Sequence, residues 1–219
     1  MAEKLKPPAA ANRLHKILDT VCNIHGMDKF PIKIDDVIYE ASNIFGWKDP
    51  IKKIVPVDMD GFDGALLKNK SKTSWSILFN ENVRSTGRIN YTKAHELGHY
   101  ILHKDLNDKF ECGKSELHDF TTTQDNINIE NEANTFASYL LMPFDDFRLQ
   151  IDPKDSTVNF DFFSQCANRY GVSLTATILR WLDYTEINAL LILSVDGFMK
   201  WAWSSKCNGT HQVPTSLDG

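Results

Sequence analysis

Apolar residues recur at helical spacing in two stretches near the start of the chain. In ANRLHKILDTVCNIHG, Leu14, Ile17, Leu18, Val21 and Cys22 follow that spacing and the pattern stops at Gly26; IDDVIYEASNIFG repeats it after Pro31 and stops at Gly46. Two short helices are therefore expected. From 51 to 80 the texture changes to IKKIVPV, GFDGALLK and SWSILFN, short β-rich pieces separated by Asp, Gly, Asn and Lys, as in a small antiparallel sheet. A helix containing YTKAHELGHYILH follows, and then a polar, irregular connection between Lys104 and Asn128. IENEANTFASYLLM, residues 129–142, returns to helical spacing until Pro143 ends it. After a polar gap at 152–159, FDFFSQCANRYGVSLTATILRWLDY reads as helix, Gly turn, helix, and INALLILSVDGFMKWAWSS as two strands about an Asp-Gly turn. Trp201 and Trp203 then share one side of the hairpin, as core or interface residues. The expected organisation is 1–46 as helices packing on a core, 47–150 as that core, 151–205 as a helix pair with a hairpin, and 206–219 as a loose tail.

Composition narrows the class. With 219 residues, 42% of them hydrophobic, the chain can bury a sizeable core. A formal charge of −5 supplies no general basic field for a polyanion, so direct DNA binding is not expected. The longest apolar run, ALLILSV apart from its serine, is far too short to span a bilayer, and the N-terminal segment lacks the apolar core of a secretion signal. Cys22, Cys112, Cys166 and Cys207 form no Cys-x-x-Cys pair and are expected to be reduced thiols of a cytoplasmic protein without membrane contact.

The chemistry concentrates at residues 95–103. His95, Glu96 and His99 form His-Glu-x-x-His, in which two imidazoles four residues apart share a helix face and can bind one zinc while the glutamate reaches the attacking water. His103 lies roughly 12 Å along the axis from His95, too far for both to reach one ion at a bond length of about 2 Å. It is expected to be a partly exposed helix-end histidine interacting with the last carbonyls; support of a ligand or contact with substrate is the alternative. Leu97, Tyr100 and Ile101 give the helix an apolar side.

A catalytic zinc commonly takes a third protein ligand. On the helix at 129–142, Ala133, Phe136, Ala137, Leu140 and Leu141 mark the apolar face. Glu130 projects roughly 50° from its centre and Glu132 roughly 110°. Glu130 is thus the favoured ligand, with Asn134 one turn on to orient it, while Glu132 reads as a charge near the helix N-terminus. Arg88 either anchors the start of the histidine helix through a carboxylate or approaches substrate. Cys112 and His118 lack two further ligands at usual spacing and read as part of a loop rather than a second metal site.

RINYTKAHELGHYILH followed by IENEANTFASYLLMP resembles the ImmA/IrrE family of zinc metallopeptidases, and GFDGALL and WSILFN look like that family's small sheet. The resemblance implies an α+β, compact thermolysin-like metallopeptidase with a small antiparallel sheet beside two ligand-bearing helices. It also implies His95, His99 and Glu130 as zinc ligands and Glu96 as the catalytic glutamate. Intracellular members typically cleave helix-turn-helix transcriptional repressors in mobile-element or stress regulation, so the implied partner is a protein substrate of that kind. QCANRYGVSLTATILRWLDY looks like the family's C-terminal helix pair and only faintly like a helix-turn-helix, because Arg180 is the sole basic residue of its second segment. Tyr100 and His103 are weak candidates for stabilising the oxyanion, and SWSILFN is a candidate edge for an extended substrate. A different class, a non-catalytic metal-binding module acting by protein contact, needs the three ligands but has no use for Glu96.

Overall fold

The computed structural model describes residues 5–58, 61–113 and 124–205. Contacts divide the chain into two compact units, one of Met1–Leu141 with Tyr170–Val172 and one of Met142–Arg169 with Ser173–Gly219.

The first unit opens with α1 (Pro7–His25) and α2 (Ile34–Phe45), which end at Gly26 and Gly46 as their periodicity predicts. Three strands follow, β1 (Ile51–Val57), β2 (Phe62–Lys68) and β3 (Trp75–Asn80), then α3 (Thr86–His103), β4 (Lys109–Gly113) and α4 (Gln124–Leu141). The sheet order is β1-β3-β2-β4. It is mixed rather than antiparallel: β1 runs parallel to β3, with Ile54 opposite Ile77, whereas β2 runs antiparallel to both β3 and β4, with Leu66 opposite Ile77 and Phe110. Alternation in sequence marks strands but not their partners, and a parallel pair requires a crossover, here through β2. Two expectations change as a result. β3 lies inside the sheet, so SWSILFN offers no edge, and part of the supposed irregular connection forms β4, the edge strand beside β2.

α3 is the central element. Every residue from Thr92 to Ile101 is buried, the polar ones included, so no side of it faces water along that length. Ser85 caps its start, accepting a hydrogen bond from the Arg88 backbone N–H, and the Arg88 side chain pairs with Asp63 of β2, the anchoring role among the two open to it. On one side, a Cβ added to Gly64 of β2 would stand 2.5 Å from Thr92 Cγ2 and 2.9 Å from Glu96 Oε1. On another, a Cβ on Gly98 would stand 3.1 Å from Ala133 Cα and 3.2 Å from its carbonyl oxygen. These two glycines let a strand and a helix approach α3 at backbone distance. Tyr100, fully buried, donates its hydroxyl to the Asp49 carbonyl (3.1 Å) and meets Trp47 and Trp75 edge-on.

α4 begins at Gln124, so Glu130 and Glu132 sit in its interior rather than in a first turn, and the dipole reading of Glu132 fails. Its last carbonyls meet Pro143, which has no N–H to give the carbonyl of Tyr139. His15 of α1 supplies one instead, its Nε2–H donating to Tyr139 O at 3.0 Å.

The second unit contains α5 (Phe144–Gln150), α6 (Phe160–Tyr170), α7 (Leu174–Leu182) and the hairpin β5 (Leu190–Val195) and β6 (Phe198–Ser204). The helix pair and the hairpin are those expected; α5, only seven residues long, is not legible as a periodic segment. Trp201 and Trp203 oppose Leu193 and Leu191, and both tryptophans are half-buried. Arg180 is buried, with its Nε–H donating to the Met142 carbonyl (2.8 Å) and its guanidinium over the Phe144 ring, so it presents no charge to a phosphate. The Cys112 side chain, His118 and the 206–219 tail lie outside the described residues.

Two outcomes follow from this packing. Gly98→Ala, which raises intrinsic helix propensity by about 1 kcal/mol, should nevertheless destabilise the protein by about 1–3 kcal/mol in urea unfolding, because the methyl group meets the backbone of α4. Burial lowers the pKa of His15 below its unfolded value of 6.5, the hydrogen bond to Tyr139 only partly opposing it. Unfolded chains then bind the extra proton, so this contribution is complete above about pH 6.5 and is lost as the pH falls through the folded value. Between about pH 7 and about pH 5 the urea midpoint should therefore fall, and should fall less in His15→Gln, whose amide can still donate to Tyr139 but cannot charge.

Candidate metal centre

α3 and α4 bring three donors together. His95 Nε2 lies 3.0 Å from His99 Nε2, and Glu130 places Oε2 at 3.0 Å from the first and Oε1 at 3.1 Å from the second. Both imidazoles are buried and Glu130 is mostly so. The remaining ring nitrogens are engaged: His95 Nδ1 is 3.0 Å from Asn134 Oδ1, and His99 Nδ1 is 3.2 Å from His103 Nδ1. An amide oxygen only accepts, so Nδ1 of His95 carries a proton, and in the neutral imidazole, the form that binds metal, Nε2 is a lone pair. With His99 in the same tautomer, two lone pairs and a carboxylate converge within hydrogen-bond distance of one another, an arrangement that a cation between them stabilises. Among the described residues this is the group of His, Cys, Asp or Glu able to hold a metal ion.

Protonation suits that role. Burial pushes the His99 imidazole down to about 4, outweighing the hydrogen bond that its protonated form donates to Glu130, so it is neutral near pH 7. Burial alone would raise the Glu130 carboxyl, but its contacts with His95 and His99 hold it well below the usual range. Neutral imidazole and ionised carboxylate are the forms that bind metal.

Glu96 is buried on the same helix, against the backbone of Gly64 on β2. Phe110 of β4 stacks on the His99 ring, with centroids 4.7 Å apart and planes 18° from parallel. Asn134 supports His95, not Glu130 as its spacing suggested, because α4 crosses α3 so that this amide meets the imidazole. His103 is buried rather than exposed at a helix end: its Nε2 lies 2.8 Å from Glu132 Oε2. Neither weak oxyanion candidate is turned to that task, since Tyr100 donates to Asp49 and both ring nitrogens of His103 are engaged. Phe110, Gly64, Gly98 and the Glu132–His103 pair escaped the sequence reading. A glycine inside a helical pattern and the period-two KFECG were the signals that carried two of them.

Buried donors of this kind, on a helix pair beside a small mixed sheet, define a metallopeptidase-like α+β domain. The family model described as the IrrE N-terminal-like domain of peptidases M78 matches residues 51–182, more than half of the chain, and the chain belongs to that family. Membership implies a metallopeptidase, a hydrolase. A search of curated proteins gives no match. No helix among the described residues is long and apolar enough to cross a membrane.

Replacing His95, His99 or Glu130 by Ala should each weaken metal binding beyond the roughly 10–100-fold expected on losing an outer partner, read as metal content after dialysis against a graded chelator. Retention of full metal content by Glu130→Ala would remove it from the ligand set.

Proposed function

We propose that the protein is a zinc-dependent endopeptidase of the cytoplasm, built on thermolysin-like lines, that cleaves a helix-turn-helix transcriptional repressor at a defined site. The observation that carries the hydrolytic reading is Glu96, a carboxylate held fully buried one residue from a metal ligand, where a module that only binds metal has no use for it. His95, His99 and Glu130 would hold the zinc, which when bound polarises the scissile carbonyl and makes water a better nucleophile. Glu96 accepts a proton from the attacking water and delivers it to the nitrogen of the leaving amine, so one carboxyl acts first as base and then as acid. Gly64 leaves the space in which that side chain sits. Asn134 and His103 keep the two imidazoles turned toward the ion.

β4 is the edge at which an extended substrate can add as a further strand, since it pairs with β2 on one side and sets Phe110 on His99. Main-chain hydrogen bonding along that edge would draw the scissile bond past the donor triangle. Binding of this kind needs an unfolded or loop segment of the repressor, because a helix has no free backbone groups to offer.

Glu96→Gln should leave zinc bound and the unfolding curve close to that of wild type while cleavage of a repressor encoded nearby drops by at least about 100-fold, the lower end of what a general base contributes. Undiminished formation of the same fragments by Glu96→Gln would sink the mechanism.

A further inference from the structure

His99 and His95 are supported differently. His95 rests on a neutral amide, Asn134, whereas His99 rests on a second imidazole that is itself backed by a carboxylate: Glu132 Oε2 to His103 Nε2 at 2.8 Å, then His103 Nδ1 to His99 Nδ1 at 3.2 Å. A carboxylate oxygen accepts, so the proton on His103 Nε2 is fixed by Glu132. In neutral His103 the Nδ1 is then a lone pair, which accepts from Nδ1–H of His99. That leaves Nε2 of His99 bare, 3.1 Å from Glu130 Oε1 and 3.0 Å from Nε2 of His95, where the ion would sit. The opposite orientation, with Nδ1–H of His103 donating, would put the proton of His99 on Nε2 and block the site.

We infer that Glu132 and His103 form a relay that selects the metal-binding tautomer of His99, with both acting as positioning residues rather than ligands. The relay rests on the zinc reading above. Its enclosure supports it: His103 and His99 are each about 1% exposed, and Phe110 lies over His99 and beside His103, with centroids 4.7 and 6.4 Å away, so water has little access to exchange with the chain of hydrogen bonds. Its placement also fits. Residues 95, 99 and 103 occupy one line of α3, and α4 answers them with Asn134, Glu130 and Glu132, so each imidazole meets a partner on the facing helix. A carboxylate behind two imidazoles raises the basicity of the last nitrogen more than an amide behind one, which makes His99 the stronger donor of the pair.

Polarity separates this role from simple filling of a buried polar space. His103→Gln can keep both directions, its amide oxygen accepting from Nδ1–H of His99 and its NH₂ donating to Glu132. His103→Leu keeps volume alone. Zinc affinity of the full chain, measured by competition with a chromogenic chelator, should fall about 10–100-fold in His103→Leu and in Glu132→Ala, and by clearly less in His103→Gln. Nitrogen-15 spectra of the zinc-loaded wild type should show His103 protonated at Nε2 and not at Nδ1, a readout that no folding defect in a variant can disturb. Equal losses in His103→Leu and His103→Gln, or a proton on Nδ1 of His103 with zinc bound, would overturn the relay while leaving the zinc site standing. Failure of the wild type to bind zinc would overturn both.

Discussion

The contact between α3 and α4 at Gly98 is the constraint on which the rest of the site depends. Donor atoms that share one ion must lie within a few ångströms of one another, and Glu130 can reach His95 and His99 only if the two helix backbones approach more closely than side chains at the crossing would permit. Gly98 against Ala133 provides that approach, with Phe136 closing beside it. Tyr91 ties the same pair of helices further along, donating its hydroxyl to the Asn134 carbonyl at 3.2 Å. Helix, glycine and ligand set are thus one solution to one geometric problem.

Close approach brings an electrostatic cost that the surrounding residues offset. α3 buries two imidazoles, a third imidazole, a carboxylate and a lysine within eleven residues, a load no ordinary core helix carries. Lys93 is matched by Asp35 at 2.8 Å and lies over Phe79, His103 is matched by Glu132, and His95 by Asn134. At the far end of α3, Lys104 meets Asp49 at 2.6 Å and Lys68 reaches the same carboxylate at 3.6 Å. Polar groups are kept in register by partners on neighbouring elements, so the apolar residues between them, Leu97 and Tyr100 above all, hold the helix by packing while His95 and His99 face the donor site.

The sheet contributes position rather than chemistry. β2 lies against α3 through Gly64, β4 sets Phe110 on the His99 ring, and Asp63 of β2 holds Arg88 at the start of the helix. A mixed sheet allows this because β2 sits between β3 and β4, which puts one edge beside the donor triangle while the parallel β1–β3 pair lies farther along the sheet.

What the sequence determined by itself was local: helices whose apolar spacing is long and regular, the Asp-Gly hairpin, and the pairing of His95 with His99, which four-residue spacing on one helix makes inevitable. Helical projection also singled out Glu130 over Glu132, and the structure brings Glu130 to the two imidazoles, because burial on a helix is written in its period. Everything that joins distant elements was decided by the tertiary structure. The parallel β1–β3 pairing, the strand at 109–113, the transfer of Asn134 from Glu130 to His95, and the burial of His103 against Glu132 all depend on where one element crosses another. Periodicity says which face of a helix is buried but not what it is buried against, and a polar side chain takes its meaning from that second fact.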